Sequence, residues 1–374
     1  MARFRLVNST PPPRIALIGA SGFIGLRTVE MLGGSAELSL VPLVRSPSSL
    51  AVLARQPLAW RITSFVDVES LTAALEGCTT CIHAAIGDAA QIVQMAEATY
   101  RACAAAGVRR LIWLSSASVH GQNCPPGTNE SSRLRDDFPL VYNNAKVRAE
   151  WALEKLARNG RVEVIGLRPG VVFGPRSRWI ADAAADLRAG RAAWLNGGRG
   201  ICNSLYVDNL VEAIRLTALA PAPLRGAFLL SDAETVTWRD FLLPIAVHLG
   251  RDASAFAELP VPAIVPERES RLGALTMTPA YRRFGTVVPD RVKRVVKGVL
   301  RTWPEPAAPA EAWSLRSAAP APHLTPELAL LQQCTWKLPH DLAARRLGYV
   351  PLIPFAEGMR RSLAWLDFAG GGAR

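Results

Sequence analysis

The sequence predicts an α/β fold: a doubly wound parallel sheet followed by a smaller, mostly helical C-terminal region. Three observations carry the prediction. Short apolar runs alternate with helical patterns over roughly the first 170 residues. A glycine-rich turn, Gly19-Ala-Ser-Gly22-Phe-Ile-Gly25, directly follows the first apolar run, and the alternation stops beyond Gly174. Parallel strands need a crossover from one end of the sheet back to the other, and a helix is the usual way to make it.

Arg14-Ile-Ala-Leu-Ile-Gly19 reads as a buried strand and Gly22 to Leu32 as the helix after it. Leu38–Val44, Trp60–Phe65, Thr80–Ala85, Arg110–Ser115 and Val162–Leu167 continue the strand series. Pro47–Ala54, Glu69–Leu75, Ala89–Ala106 and Tyr142–Asn159 read as the intervening helices. Further on, Trp179–Ala189 and Val207–Leu219 are expected to be helical and Ala227–Ser231 to add one strand. Thr237–Leu249 is expected to be a helix capped by Thr237, because a threonine hydroxyl accepts a free amide of the first turn. Pro304 to Pro326 has the Pro/Ala composition of a loop, and short helices close the chain with the amphipathic Pro354–Phe368.

Composition narrows the function classes. With 374 residues, 49% hydrophobic and 20% charged, the chain has material for a large core and is not disordered. No run reaches the ~18 apolar residues of a membrane-spanning helix, and Met1 to Pro13 lacks the apolar stretch of a secretory signal. Six scattered cysteines suit a reducing cytoplasm, and Cys78-Thr-Thr-Cys81 reads as structural because it enters a strand instead of a helix N-terminus. No metal-ligand spacing occurs. The net charge is +12, half of it between Glu267 and Trp303, where nine basic residues face three acidic ones. No nucleic-acid motif accompanies that charge, so nucleic acid is not expected as a partner.

Two motifs carry chemistry. The glycines after the first strand allow a tight turn that brings a pyrophosphate to the amides of a helix N-terminus, where the helix dipole favours negative charge. Tyr142 and Lys146, four apart, share one helical face, and Ser115-Ser116 precede them at a strand end. An ammonium beside a phenol favours the phenolate, which would let Tyr142 exchange a proton near neutral pH. A serine hydroxyl can bond the same substrate oxygen, while a nicotinamide carries the hydride.

With these motifs the chain resembles an extended short-chain dehydrogenase/reductase, of the NAD-dependent epimerase/dehydratase superfamily. The resemblance runs from about Arg14 to Phe368 and extends to His83-Ala-Ala85, Leu114-Ser-Ser-Ala-Ser-Val-His-Gly121, Leu167-Arg-Pro-Gly-Val-Val-Phe-Gly-Pro175, Tyr206-Val-Asp-Asn209 and Arg346-Leu-Gly-Tyr349. It implies a Rossmann-type unit at 14–175, rejoined by 203–232, after a flexible 1–13. Residues 176–202 and 233–374 would bind substrate, including a basic amphipathic segment at 278–303 and a loop at 304–326. Ser116 would be the catalytic serine, Tyr142 the acid/base, and Lys146 its partner and the ligand of the nicotinamide ribose. The dinucleotide would touch Gly19, Ser21, Gly22, Phe23, Ile24 and Gly25 at the turn, Ala84 and Ala85 after the fourth strand, and Pro169, Val171 and Val172 beside the nicotinamide.

Departures from the family pattern sharpen the reading. Thr63-Ser64-Phe65 stands where Gly-Asp-Leu/Ile usually contacts adenine, leaving Ser64 and Phe65 there. The helical Asn of the proton relay falls on Ile92, and His120 replaces a Tyr and reads as a turn residue. The second strand ends in Val44-Arg45-Ser46 with no acid to accept the ribose hydroxyls; Arg45 and Ser46 therefore argue for NADP(H) over NAD(H). Val171 replaces the Asn that holds a nucleotide-sugar, which favours the hydroxysteroid dehydrogenase and dihydroflavonol reductase side of the family. The expected activity is oxidoreduction between a secondary alcohol and a ketone on a hydrophobic small molecule. A nucleotide-sugar epimerase or dehydratase with bound NAD is the alternative, and a non-catalytic dinucleotide sensor comes third. In 289–303, valines, Leu300 and Trp303 share one face of a basic helical pattern, which would suit peripheral contact with the inner face of a membrane or burial on the substrate region. A homodimer is compatible with the sequence but not specified by it.

Overall fold

The structure is a computed structural model and describes residues 11–267 and 321–369. In chain order the first strands are β1 (Arg14–Ile18), β2 (Ser39–Val44), β3 (Arg61–Ile62), β4 (Thr80–His83), β5 (Arg110–Leu114) and β6 (Glu163–Pro169). They are followed by β7 (Val171–Phe173), β8 (Ala193–Trp194), β9 (Ile201–Cys202), β10 (Ser204–Tyr206), β11 (Gly226–Leu230), β12 (Val236–Thr237) and β13 (Ala257–Glu258). The helices are α1 (Phe23–Leu32), α2 (Val68–Leu75), α3 (Ala89–Ala105), α4 (Val141–Ala157), α5 (Arg178–Arg188), α6 (Val207–Leu219), α7 (Trp238–His248), α8 (Pro326–Leu331), α9 (Asp341–Leu347) and α10 (Phe355–Phe368).

Seven strands form one parallel sheet in the order β11-β6-β5-β4-β1-β2-β3. The chain runs outward from β1 through β2 to β3, then returns to β4 on β1's other side, so the winding reverses between β1 and β4. At such a reversal the loops diverge and leave a crevice beyond the carboxyl ends of the strands. Apolar runs buried on both faces, such as Ile15 to Ile18, explain why these strands read as continuous hydrophobic stretches. One core layer packs α1 and α6 on the sheet and continues into the C-terminal region; the other lies under α2, α3 and α4.

Two expectations need correction. Pro47–Ala54 is not a helix but a single 3-10 turn, Pro47–Leu50. Ser46 bonds the hydroxyls of Ser48 and Ser49 at 2.9 and 3.2 Å, the local bonding by which serines compete with helix propagation. The strand expected over Trp60–Phe65 shrinks to Arg61 and Ile62, paired to Leu43 and Val44 at the sheet edge. The β7–β10, β9–β12 and β8–β13 pairs were not expected at all, since two or three residues are too few to display a period. Thr237 does cap α7, in a reciprocal capping box with Asp240.

Long-range polar ties join the C-terminal region to the sheet unit. Arg27 of α1 grips Asp208 of α6 through two bonds of 2.6 and 2.9 Å, and Arg361 of α10 reaches the same carboxylate at 3.3 Å. Asn209 exchanges two bonds of 2.9 Å with the backbone of Ile353. No helix among the described residues is long and apolar enough to cross a membrane. The basic segment 278–303, its stretch 289–303 and most of the 304–326 loop lie outside the described residues, as does most of 1–13.

Candidate active site

The glycine turn is shaped by steric necessity. Gly19 has φ +83°, and a Cβ there would lie 2.6 Å from the Ala85 amide nitrogen, so only glycine lets the turn pack on Ala84-Ala85 beyond β4. A Cβ on Gly25 would lie 2.1 Å from the Gly19 carbonyl oxygen. The Gly22 amide donates to that oxygen at 3.0 Å, and α1 begins one residue later without a side-chain cap. Ser21, Phe23 and Ile24 stay partly exposed around exposed Gly22. This cradle, with first-turn amides facing outward, fits a pyrophosphate.

At the end of β2, Arg45 is exposed and its guanidinium lies 5.8 Å from the ring centre of buried Phe65. Ser46 belongs to the serine cluster described above, and Ser64 is exposed beside Phe65. Pro169, Val171 and Val172 are buried where β6 passes into β7, and the Val171 amide is fixed by the Asn203 carbonyl at 2.7 Å.

Tyr142 and Lys146 lie in the first two turns of α4, and Lys146 Nζ sits 5.7 Å from the Tyr142 ring centre. The ammonium donates to the Leu114 carbonyl at 2.8 Å and lies 5.1 Å from the Trp113 ring centre. Ser116 bonds the Tyr142 phenol and accepts the Ser118 amide at 3.2 Å. Ser115 faces elsewhere, because successive side chains at a strand end point to opposite sides. Its hydroxyl donates to Glu150, whose carboxylate pairs with buried Arg168 at 2.6 and 3.0 Å. Two adjacent serines are thus separated by their partners: one meets the phenol, the other a buried ion pair.

The electrostatics depart from expectation. Burial, reinforced by Glu327, pushes the Tyr142 phenol up to about 12, against Arg178 and Ser116 acting downward. Burial also pulls the Lys146 ammonium down to about 8. Lys146 therefore does not draw the phenol down here: desolvation outweighs it, and the ammonium is committed to the Leu114 carbonyl.

Several surrounding groups were not legible as site residues. α4 has no cap of its own, and Glu267 supplies one by accepting the Val141 amide at 2.9 Å. Asn143 pairs with Gln122, and Asn144 with the Phe138 backbone, fixing the preceding loop. Arg178, at the start of α5, donates to Glu327 of α8 at 2.7 Å, and both charges act on Tyr142. His120 is more than a turn residue, since its buried ring lies 3.2 Å from Arg168. Ile92 is buried in the core beneath α3. His83 is buried against Trp113, with ring centres 4.4 Å apart, and burial pulls its imidazole down to about 3. Cys78 and Cys81 are buried free thiols, and Cys81 bonds Cys103.

The sequence profile of the NAD dependent epimerase/dehydratase family matches residues 15–226, more than half of the chain. A 3beta-hydroxysteroid-dehydrogenase/decarboxylase from Arabidopsis thaliana is 23% identical over 79% of this chain and 50% of its own length, so the chain spans about half of that relative. A 2-alkyl-3-oxoalkanoate reductase from Stenotrophomonas maltophilia is 27% identical over 70% of this chain and 69% of the reductase. Among solved structures, a dTDP-glucose 4,6-dehydratase from Streptomyces venezuelae with NAD bound superposes with a TM-score of 0.66 at 17% identity, covering 96% of this chain and 98% of that one. The fold, the glycine turn and the profile agree: the protein is an enzyme of the NAD-dependent epimerase/dehydratase family.

Proposed function

We propose that the protein interconverts a secondary alcohol and a ketone on a hydrophobic small molecule, with NADP(H) in preference to NAD(H). The observation that carries this is the convergence of Ser116, Tyr142 and Lys146 on the carboxyl ends of the central strands, on the same side as the Gly19 turn. When bound, a nicotinamide dinucleotide supplies or accepts the hydride. The chain's own residues manage the oxygen and its proton. Ser116 Oγ donates to the substrate oxygen and orients it. The Tyr142 phenol gives a proton to that oxygen in reduction and takes it back in oxidation. Lys146, held by the Leu114 carbonyl, lies where its charge stabilises a phenolate as it forms.

Two tests bear on the reading. Tyr142→Phe removes the proton donor without changing the ring, so turnover should fall by a factor of about 10²–10⁴ with the fold intact; near wild-type turnover would refute the assignment. Arg45→Ala should lower the NADPH/NADH ratio of kcat/KM, whereas an unchanged ratio would remove the basis for NADP(H). Protein that purifies with stoichiometric NAD would favour an epimerase or dehydratase cycle instead, since such a cycle regenerates its cofactor in place.

A further inference from the structure

We propose that Arg178 is the substrate's carboxylate-binding residue, and that the substrate is a hydrophobic 3-hydroxy or 3-oxo acid. The inference rests on the oxidoreductase reading and names the substrate class for it. Ser177 caps α5 through the Trp179 amide and donates to the Val172 carbonyl at 3.2 Å, which fixes the start of α5 against the buried β7. The Arg178 guanidinium lies 4.5 Å from the ring centre of Trp179, which packs against Trp238. The base of the residue is thus rigid, while its side chain remains 60% exposed and open to a ligand.

A carboxylate already occupies the guanidinium. Glu327 reaches it from α8, 149 positions along the chain, at 2.7 Å. Exposed ion pairs contribute little to stability, so exchanging Glu327 for a substrate carboxylate costs little. The planar guanidinium can take such a group through two parallel bonds, which an ammonium cannot. Arg178 also acts on the Tyr142 phenol, so its charge lies close to the point where the substrate oxygen binds. An anion that meets Arg178 while its carbonyl meets Ser116 and Tyr142 must therefore be near the reacting carbon. In a 3-oxo acid the carboxyl group stands one methylene from that carbon. The name of the 2-alkyl-3-oxoalkanoate reductase describes the same arrangement.

The test uses binding, so it does not depend on turnover. Calorimetry would compare 3-hydroxydecanoate, its methyl ester and UDP on the wild type, Arg178→Ala, Arg178→Lys and Glu327→Gln. The acid should bind the wild type at least tenfold more tightly than the ester. Arg178→Ala should abolish that preference with the ester unchanged, Arg178→Lys should restore only part of it, and Glu327→Gln should tighten the acid by removing its competitor. Equal affinities for acid and ester, no acid binding at millimolar concentration, or equal losses for both ligands in Arg178→Ala would overturn the proposal. Tighter binding of UDP than of the acid, lost in Arg178→Ala, would also overturn it and point to a diphosphate. If the acid preference depends on Arg178 but no ketone is reduced, the carboxylate site stands and the oxidoreductase reading fails.

Discussion

The glycine turn and the wall opposite it flank the same catalytic tyrosine but are assembled differently. At the turn, Gly25 packs on Gly19 and Gly19 on Ala84-Ala85, through neighbouring residues and strands already held in register by the sheet. In the wall, Glu267 caps α4, Asn203 holds Leu338 and Trp336, and Glu327 meets Arg178, each across 126 to 149 positions of sequence. The turn is dictated by backbone sterics that tolerate no alternative residue. The wall consists of side-chain bonds that can be exchanged one at a time. Within one family, such a division lets cofactor chemistry persist while substrate recognition varies.

The comparison can be broken most forcefully behind both regions. Glu150→Ala would leave Arg168 buried without its carboxylate and Ser115 without an acceptor, so unfolding in urea should show a loss of about 3–5 kcal/mol. Next comes the turn itself. Gly25→Ala should cost about 1–3 kcal/mol by overpacking and weaken dinucleotide binding far more than any change in the wall, as a fluorescence titration with NADPH would record. Asn203→Ala inverts the pattern. It frees a buried amide at Leu338 and the Trp336 carbonyl, at about 1–2 kcal/mol in total, and should raise the KM for substrate while leaving the dinucleotide affinity alone. An equal loss of dinucleotide affinity in Asn203→Ala would erase the distinction between the two regions.

The smallest effect concerns pH. Burial lowers Lys146 from 10.5 to about 8, so the folded state binds this proton less readily than the unfolded state. Between about pH 8 and 10.5 the unfolded chain holds more protons at this position, and stability should therefore rise with pH across that window. Below pH 8 the cost is fully present. Lys146→Met should remove the rise, which the difference between paired denaturation curves at pH 7.5 and 10 would reveal; parallel shifts in the two proteins would refute the assignment to Lys146.

Most of the sheet was legible because β1, β2, β4, β5 and β6 are apolar along their length and the turns between them carry glycine or capping residues. What escaped the sequence depended on distant partners. Pro47–Ala54 has helix-compatible spacing, yet Ser46, Ser48 and Ser49 satisfy one another and stop it after one turn. Choosing Ser116 over Ser115 was a matter of alignment in the sequence, whereas the physical reason lies in Glu150 and Arg168, 35 and 53 positions after Ser115. The expectation that Lys146 draws down the Tyr142 phenol followed from their spacing on one helical face. Spacing says nothing of the Leu114 carbonyl or of burial, and those two decide the outcome.

Asp208 has a consequence for anyone recombining this enzyme with a relative. One carboxylate from α6 clamps Arg27 beside the glycine turn and Arg361 in the last helix, so the nominal halves share a fastener. A chimera that imports a foreign C-terminal segment must bring a cation to the Arg361 position or supply the Asp208 side with another partner. Grafts made at the apparent seam after Gly174 will otherwise join two well-formed pieces that no longer hold each other. Modularity here follows the wiring of side chains, and the cut that respects it runs through α6 and α10 together.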